Sequence, residues 1–437
     1  MNKFLLNKQR SRLLCLLLFI STFSQIACEE GTVISDFDPD VTISVDLYAI
    51  QGNTLHALRD NRAEGQDFSK INEIDPRWSK QIPGEISIGT PFLIKEGQFQ
   101  EQNLYLSSAD GVVYKYTDKG ELVWSFDTGG GIVSSVHAAL AGESAAIFTP
   151  LIYVGNQNGR FVCLDGADGS LIWEYQIENR SAIESEAQYA KRGGRDHIIF
   201  GADDGYIYCF DGGSGEKLWD YYTGASIKSK GKTINGIRHF AVGNILGDVI
   251  KIDIETGNVA WTKTLPNSVV AAPEAGRNRE YFVGCNDGSM YALDGESGDI
   301  LWQYKTEAAI VGSAFITEVK PGENENLDPI PMLFFGSIDE HLYALNASDG
   351  NLIWRKNLGA GQLAASPIAH GESSEKSTVY MNTSEGLISV SSRTGEFQTR
   401  FNNQTEGNYT SSVMPYFKWN GRISVGSTYI LYPNNLN

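Results

Sequence analysis

The side chains here that could do chemistry are met together in residues 281–304, YFVGCNDGSMYALDGESGDILWQY, which hold Asp287 and Asp294 in turn sequences, Cys285, and Trp302. Carboxylates in Asp-Gly and Asp-x-x-x-Gly stretches could begin calcium loops, but each repeat offers too few oxygen donors for the EF-hand pattern. The same aspartates are expected to bond backbone N–H groups just ahead of them and so form turns. The six histidines, His56, His137, His197, His239, His341 and His370, are scattered without HExxH spacing, and no GxSxG elbow or GxxxxGK[ST] loop is present. Apart from Cys15 and Cys28, three cysteines remain, Cys163, Cys209 and Cys285. An odd number argues against a disulfide framework, and all three read as small buried residues.

These residues recur because the unit recurs. In the 281–304 copy, Tyr281 to Cys285 and Ser289 to Asp294 alternate in character around Asp287-Gly288, which reads as a two-residue hairpin with positive φ. A third strand, Ile300 to Tyr304, follows the permissive turn at Gly298 and carries Trp302. Copies appear at 46–60, 104–126, 152–175, 198–221, 240–263, 281–304, 333–356 and 379–401, with a remnant at 422–435. In the seventh copy Glu340 replaces the first-turn glycine, and in the eighth Phe397 replaces the tryptophan. Trp78, Trp124, Trp173, Trp219, Trp261, Trp302 and Trp354 occupy one place in the unit, and Trp419 does not. Four strands per period of this length are the signature of a β-propeller, whose blades bury their faces against one another.

The expected architecture is therefore all-β: an eight-bladed β-propeller of four-stranded antiparallel blades. Innermost strands are expected near 86–94, 132–140, 183–190, 227–234, 269–275, 310–317, 363–369 and 411–417. Strands from 411–432 would share a blade with strands from 43–82, closing the ring without a free sheet edge.

The formal net charge of −18 argues against affinity for nucleic acid or anionic lipid, which require a basic footprint. Residues 1–27 read as a signal peptide, with Lys3, Lys8, Arg10 and Arg12 ahead of an apolar stretch from Leu13 to Phe23 too short to span a membrane. Ser-Gln-Ile-Ala-Cys ending at Cys28 resembles a bacterial lipoprotein signal, although Gln25 stands where leucine is usual. Lipidation is expected at Cys28. The acidic stretch 28–42 would be a flexible tether, and 43–437 the propeller.

The repeat VYVGS-x-DG-x-LYALD-x-x-TG-x-x-LW resembles that of the pyrroloquinoline-quinone-type propellers, over roughly residues 45–432. Export signal, candidate lipid cysteine, size and blade count together look like the propeller lipoproteins of outer-membrane β-barrel assembly. That resemblance implies a monomeric, non-enzymatic envelope scaffold facing the periplasm, with protein partners and no cofactor. It also implies that the seven repeated tryptophans dock blade on blade. Quinoprotein dehydrogenases of this architecture hold their quinone between a tryptophan and an adjacent Cys-Cys pair, with Ca²⁺ beside it. No adjacent cysteines occur in this sequence. Quinone-dependent dehydrogenation and a carbohydrate- or ligand-binding propeller remain the alternatives.

Departures from the repeat point to function more directly than the repeat does. IESEAQY (183–189) and IKSKGKT (227–233) set Glu184 against Lys228 and Glu186 against Lys230, where other copies offer Val133 and Ser135, Val270 and Ala272, or Val311 and Ser313. Near a propeller axis this predicts an ionic patch at the central channel, either a structural network or a binding site. Long insertions are expected at 61–75, 95–102, 141–150, 191–197, 318–331 and 371–377, all on one face. That rim, including the acidic GENENLDP (322–329), is the expected partner surface.

Overall fold

The sixth copy of the unit shows how the sequence folds. Tyr281–Gly284 pairs antiparallel with Ser289–Leu293, which pairs in turn with Ile300–Lys305. The first connection is not a two-residue hairpin. Gly288 N–H donates to Cys285 O and Cys285 N–H to Ser289 O, both at 3.0 Å, with φ of +86° at Gly288 and no positive φ at Asp287. This is a three-residue loop ending in a left-handed glycine. Asp287 spends its carboxylate on the turn, accepting from Ser289 N–H at 2.8 Å and Tyr291 O–H at 2.7 Å. Asp294 likewise accepts from the N–H groups of Glu296 and Ser297 at 2.9 and 2.8 Å, ahead of Gly298 at φ +77°. A bulge next to Trp302 leaves Leu301 outside the ladder.

In this computed structural model the described residues are 42–51, 54–63, 72–73, 75–83, 92–96, 101–139, 149–234, 238–277, 279–320, 328–359, 361–373, 376–383, 386–401, 414–419 and 422–425. The chain divides into two units, Met1–Val41 with Leu431–Asn437, and Thr42–Ile430, and the described residues all belong to the second. The expected signal peptide, Cys28 and nearly all of the tether lie outside them.

Among the described residues the chain is all-β, and its strands group into eight sheets. Numbered to match the units, the second to seventh sheets are four-stranded and run in sequence order; they begin at Phe92–Glu96, His137–Ala139, Gln188–Arg192, Lys232–Ile234, Glu274–Ala275 and Phe315–Val319. The first and eighth sheets have five strands rather than the expected four. The first combines Thr42–Gln51, Thr54–Ala63 and Asp75–Gln81 with Met414–Trp419 and Arg422–Val425, Tyr48 pairing with Met414. In the eighth, Asn72–Glu73 lies parallel to the outer strand Phe397–Phe401, so the 61–75 insertion supplies a strand to a neighbouring sheet.

Core residues sit between consecutive sheets. Phe282, Met290 and Ala292 of the sixth, for example, pack on Leu333, Phe335, Tyr343 and Leu345 of the seventh. At the outer end of the seven seams from the first sheet to the eighth a tryptophan joins the two sheets. The indole N–H of Trp78, Trp124, Trp173, Trp219, Trp261, Trp302 and Trp354 donates to the carbonyl of Asp118, Gly166, Gly212, Ile254, Gly295, Ala347 and Ser392 respectively, at 2.8–3.0 Å. Each ring also lies beneath a left-handed turn glycine of the next unit. A Cβ on Gly350 would stand 2.7 Å from the Trp302 ring.

The innermost strands are shorter than expected and begin later. The expected strand 183–190 is Gln188–Arg192, and 227–234 is Lys232–Ile234. The residues ahead are extended but bond to hairpins of two successive sheets instead of to a ladder. Ile183 N–H reaches Asn156 O in the third sheet, while Ala182 O accepts from Asp203 N–H in the fourth. Insertions at 191–197 and 371–377 are likewise absent as loops. Arg192 pairs with Arg195 around Gly193-Gly194, whose φ values are +58° and +80°, and Ser373 pairs with Lys376. An insertion is expected at 191–197, but its two glycines supply what a tight hairpin needs. The other expected insertions include residues outside the described set, GENENLDP among them.

Candidate functional site: a charged row on the leading segments

Each segment leading into a sheet is anchored by alternate residues. Ile183 is buried against Gly155, where a Cβ would come within 2.2 Å of it, and Ile227 meets Gly201 in the same way at 2.3 Å. Two residues on, Ser185 Oγ donates to Gly201 O at 2.7 Å and accepts from Gly201 N–H at 2.8 Å. Ser229 repeats this with Gly243 at 2.9 and 3.0 Å. With odd-numbered residues committed to the sheets, the even-numbered residues Glu184, Glu186, Lys228 and Lys230 are turned to the other side, as the period of an extended chain requires.

The structure brings all four together. Lys228 Nζ lies 2.7 Å from Glu184 Oε2 and Lys230 Nζ contacts Glu186 Oε1. The four belong to the segments ahead of the strands rather than to the strands. Four further contributors were missed by the sequence reading. Asp203, in the hairpin of the fourth sheet, takes a second bond from Lys228 at 2.6 Å and one from Ser226 Oγ at 2.7 Å. His137 Nδ1 stands 4.0 Å from Glu186 Oε1. Lys232 reaches forward to Glu274 of the sixth sheet at 3.0 Å. Lys232 was legible as the next member of the alternation 228, 230, 232. Asp203 was not, because in sequence it is one more turn aspartate.

Ionisation follows from the mutual placement. Burial pushes the Glu186 carboxyl up, but Lys230 and His137 outweigh it and hold the group below its ordinary range. Burial dominates at His137 and lowers its pKa despite Glu186, so the ring is neutral at neutral pH. For Lys228, burial acts against the ammonium, yet the bonds it donates to Asp203 and Glu184 raise its pKa overall. The row thus carries opposed charges partly open to solvent, suited to recognising polar groups on a partner rather than to proton transfer.

Elsewhere the sequence candidates take structural places. Cys163, Cys209 and Cys285 are buried free thiols. Burial raises all three, Cys285 to about 11, away from thiolate chemistry. Among the described residues no group of His, Cys, Asp and Glu is placed to hold a metal ion.

The sequence matches the protein family described as "Outer membrane protein assembly factor BamB" over residues 50–195 and 203–417. The chain belongs to the BamB family. No curated protein sequence matches it. Among solved structures, BamB from Moraxella catarrhalis superposes with a TM-score of 0.55 at 15% identity, covering 81% of this chain and 94% of that one. The computationally designed Ika8 protein gives 0.53 at 14%, over 76% and 100% of the two chains. A europium-containing methanol dehydrogenase gives 0.56 at 11%, over 78% and 81%. At such identities the likeness concerns the fold, which is that of a β-propeller. BamB-family membership agrees with an envelope-associated scaffold.

A divalent cation of the kind the dehydrogenase branch holds does not fit the charged row of this BamB-family chain. Glu184 and Asp203 share the Lys228 ammonium and Glu186 holds that of Lys230. Lysines in those places would repel a divalent cation.

Proposed function

We propose that this chain is a lipid-anchored, non-enzymatic scaffold of the bacterial envelope that binds protein partners during assembly of outer-membrane β-barrel proteins. In this reading a signal peptide of residues 1–27 is removed and Cys28 is lipidated. Residues 28–42 tether a monomeric eight-bladed propeller facing the periplasm. The sheet shared by Thr42–Ala63 and Met414–Val425 strands would close its ring. The charged row would line the mouth of its channel and contact the partner.

The observation that carries the reading is the row itself. Two consecutive leading segments depart from the small neutral residues of their siblings, and their charges meet while keeping partial contact with solvent. A family concerned with outer-membrane protein assembly gives that surface a purpose. Affinity purification of the full chain from cross-linked membranes tests it. A barrel-assembly component should co-purify, less of it with Glu184→Ala/Lys228→Ala, and recovery of none would count against the scaffold.

The likeness to methanol dehydrogenase motivates one rival reading, a quinoprotein. Stoichiometric uptake of pyrroloquinoline quinone with Ca²⁺, followed by alcohol-dependent dye reduction, would replace the scaffold by an enzyme.

A further inference from the structure

The hairpin 244–247 of the fifth sheet breaks the pattern of its siblings in a way that folding does not require. Matching turns carry a polar residue at the second place, Asp110, Asn158, Asp204, Asp287 and Asp339, even where Ile338 stands at the first. In several the second residue works for the turn. Asp204 accepts from Tyr206 N–H and Tyr208 O–H, and Asp339 does the same for His341 and Tyr343. Here the pair is Ile245-Leu246, 43% and 63% exposed. The turn is held instead by buried Asn244, whose Oδ1 accepts from the N–H groups of Leu246 and Asp248 at 3.0 and 2.9 Å, and by Gly247 at φ +94°. Neither aliphatic side chain is needed to make it.

The surroundings extend the apolar surface and give it a charge. Ile245 N–H donates to Ser226 O at 3.0 Å, which ties the turn to the segment running back to Tyr222. Tyr222 is 55% exposed and lies against Tyr206, ring centroids 5.0 Å apart. Asp203 accepts from Ser226 Oγ and shares Lys228 with Glu184, Asp204 follows it in the same hairpin, Asp248 belongs to the turn itself and Lys263 lies opposite Val249, so four carboxylates stand against two ammonium groups. An exposed aliphatic pair on a convex turn fits a concave apolar surface, and an acidic surround favours a basic rim.

We infer that Ile245 and Leu246, with the exposed Tyr222 of the adjoining sheet, form an apolar knob that docks into an aliphatic cleft, bordered by lysine or arginine, on a folded partner protein. This rests on the scaffold reading and adds to the charged row a hydrophobic contact on the hairpin face, opposite the rim expected from the insertions. A second copy of the chain is disfavoured as occupant, since it would bring the same acidic surround against itself.

The test uses the full chain in its native membranes, with the photo-cross-linker benzoylphenylalanine at position 246 and, in parallel, Leu246→Asp and Tyr222→Ser. Expected are cross-links from 246 to one protein, at a site within an apolar cleft flanked by basic residues. Leu246→Asp should lower co-purification at least tenfold, and Tyr222→Ser should lower it less. Unchanged thermal melting would show that the substitutions leave the fold intact. Full retention of the partner by Leu246→Asp, or cross-links to lipid or to a second copy, overturns the knob and leaves the scaffold standing. Failure of the wild-type chain to bring down any assembly component overturns the scaffold, and the knob with it.

Discussion

Replacing Lys230 by methionine isolates one link of the charged row. The side chains of Glu186 and Lys230 are 13% and 29% exposed, so the pair lies between the buried and the surface extremes. Removing one member of a fully buried pair costs roughly 3–5 kcal/mol and an exposed pair is worth roughly 0–1 kcal/mol; the intermediate burial here suggests about 2 kcal/mol. Neutral His137, 4.0 Å away, does not replace the ammonium. Glu186→Leu, which leaves the ammonium unpaired, should cost a similar amount. The double variant Glu186→Leu/Lys230→Met should return to within about 1 kcal/mol of wild type, because no uncompensated charge remains. Urea unfolding, followed by tryptophan fluorescence and circular dichroism to verify coincident transitions, measures all four corners of the cycle. The deficit of Lys230→Met should also depend on pH. Glu186 has a folded pKa below its ordinary value of 4.5, so its stabilisation is complete above that value and lost as pH falls through the folded one. The single variant should therefore differ most from wild type at neutral pH and converge on it in acid. A coupling energy under about 0.5 kcal/mol, or a deficit independent of pH, would refute the argument.

Further outcomes follow from the turns and seams. Glu340 holds φ +71° where the sixth unit has Gly288 at +86°, so Glu340→Gly should stabilise the chain by about 1 kcal/mol in the same urea assay. Gly350→Ala should destabilise by about 2–4 kcal/mol, because it combines a left-handed φ of +73° with a Cβ 2.7 Å from the Trp302 ring; a lowered melting temperature would reveal it. Trp124→Phe should cost less than Trp302→Phe. The Gly166 carbonyl that Trp124 meets also accepts from Tyr105 O–H and Lys115 Nζ and stays satisfied, and equal losses would contradict this.

Much of the fold could be read locally. Asp294 with Gly298, and the tryptophans with the turn glycines that follow, are short-range chemistry repeated often enough to reveal the unit. Glu184 and Lys228 could be aligned because period-2 alternation survives in the segments that carry them. The same alternation misled about strand limits. Ile183, Ser185 and Ala187 look identical in sequence whether they belong to a ladder or to an extended crossover. Gly193-Gly194 falls within the expected insertion 191–197, although its backbone freedom makes a tight hairpin.

By itself, then, the sequence determined the repeated unit, its turn chemistry, the placement of its tryptophans and the alternation that turns Glu184, Glu186, Lys228 and Lys230 away from the sheets. Tertiary structure decided which partners those groups meet. Ala182 ends on Asp203, Lys228 divides itself between Glu184 and Asp203, and Asn72–Glu73 joins a sheet far along the chain. Local periodicity fixes the direction in which a side chain points. Hydrogen bonds and ion pairs between sheets depend on which hairpin stands next to it, and that is settled only when the sheets pack.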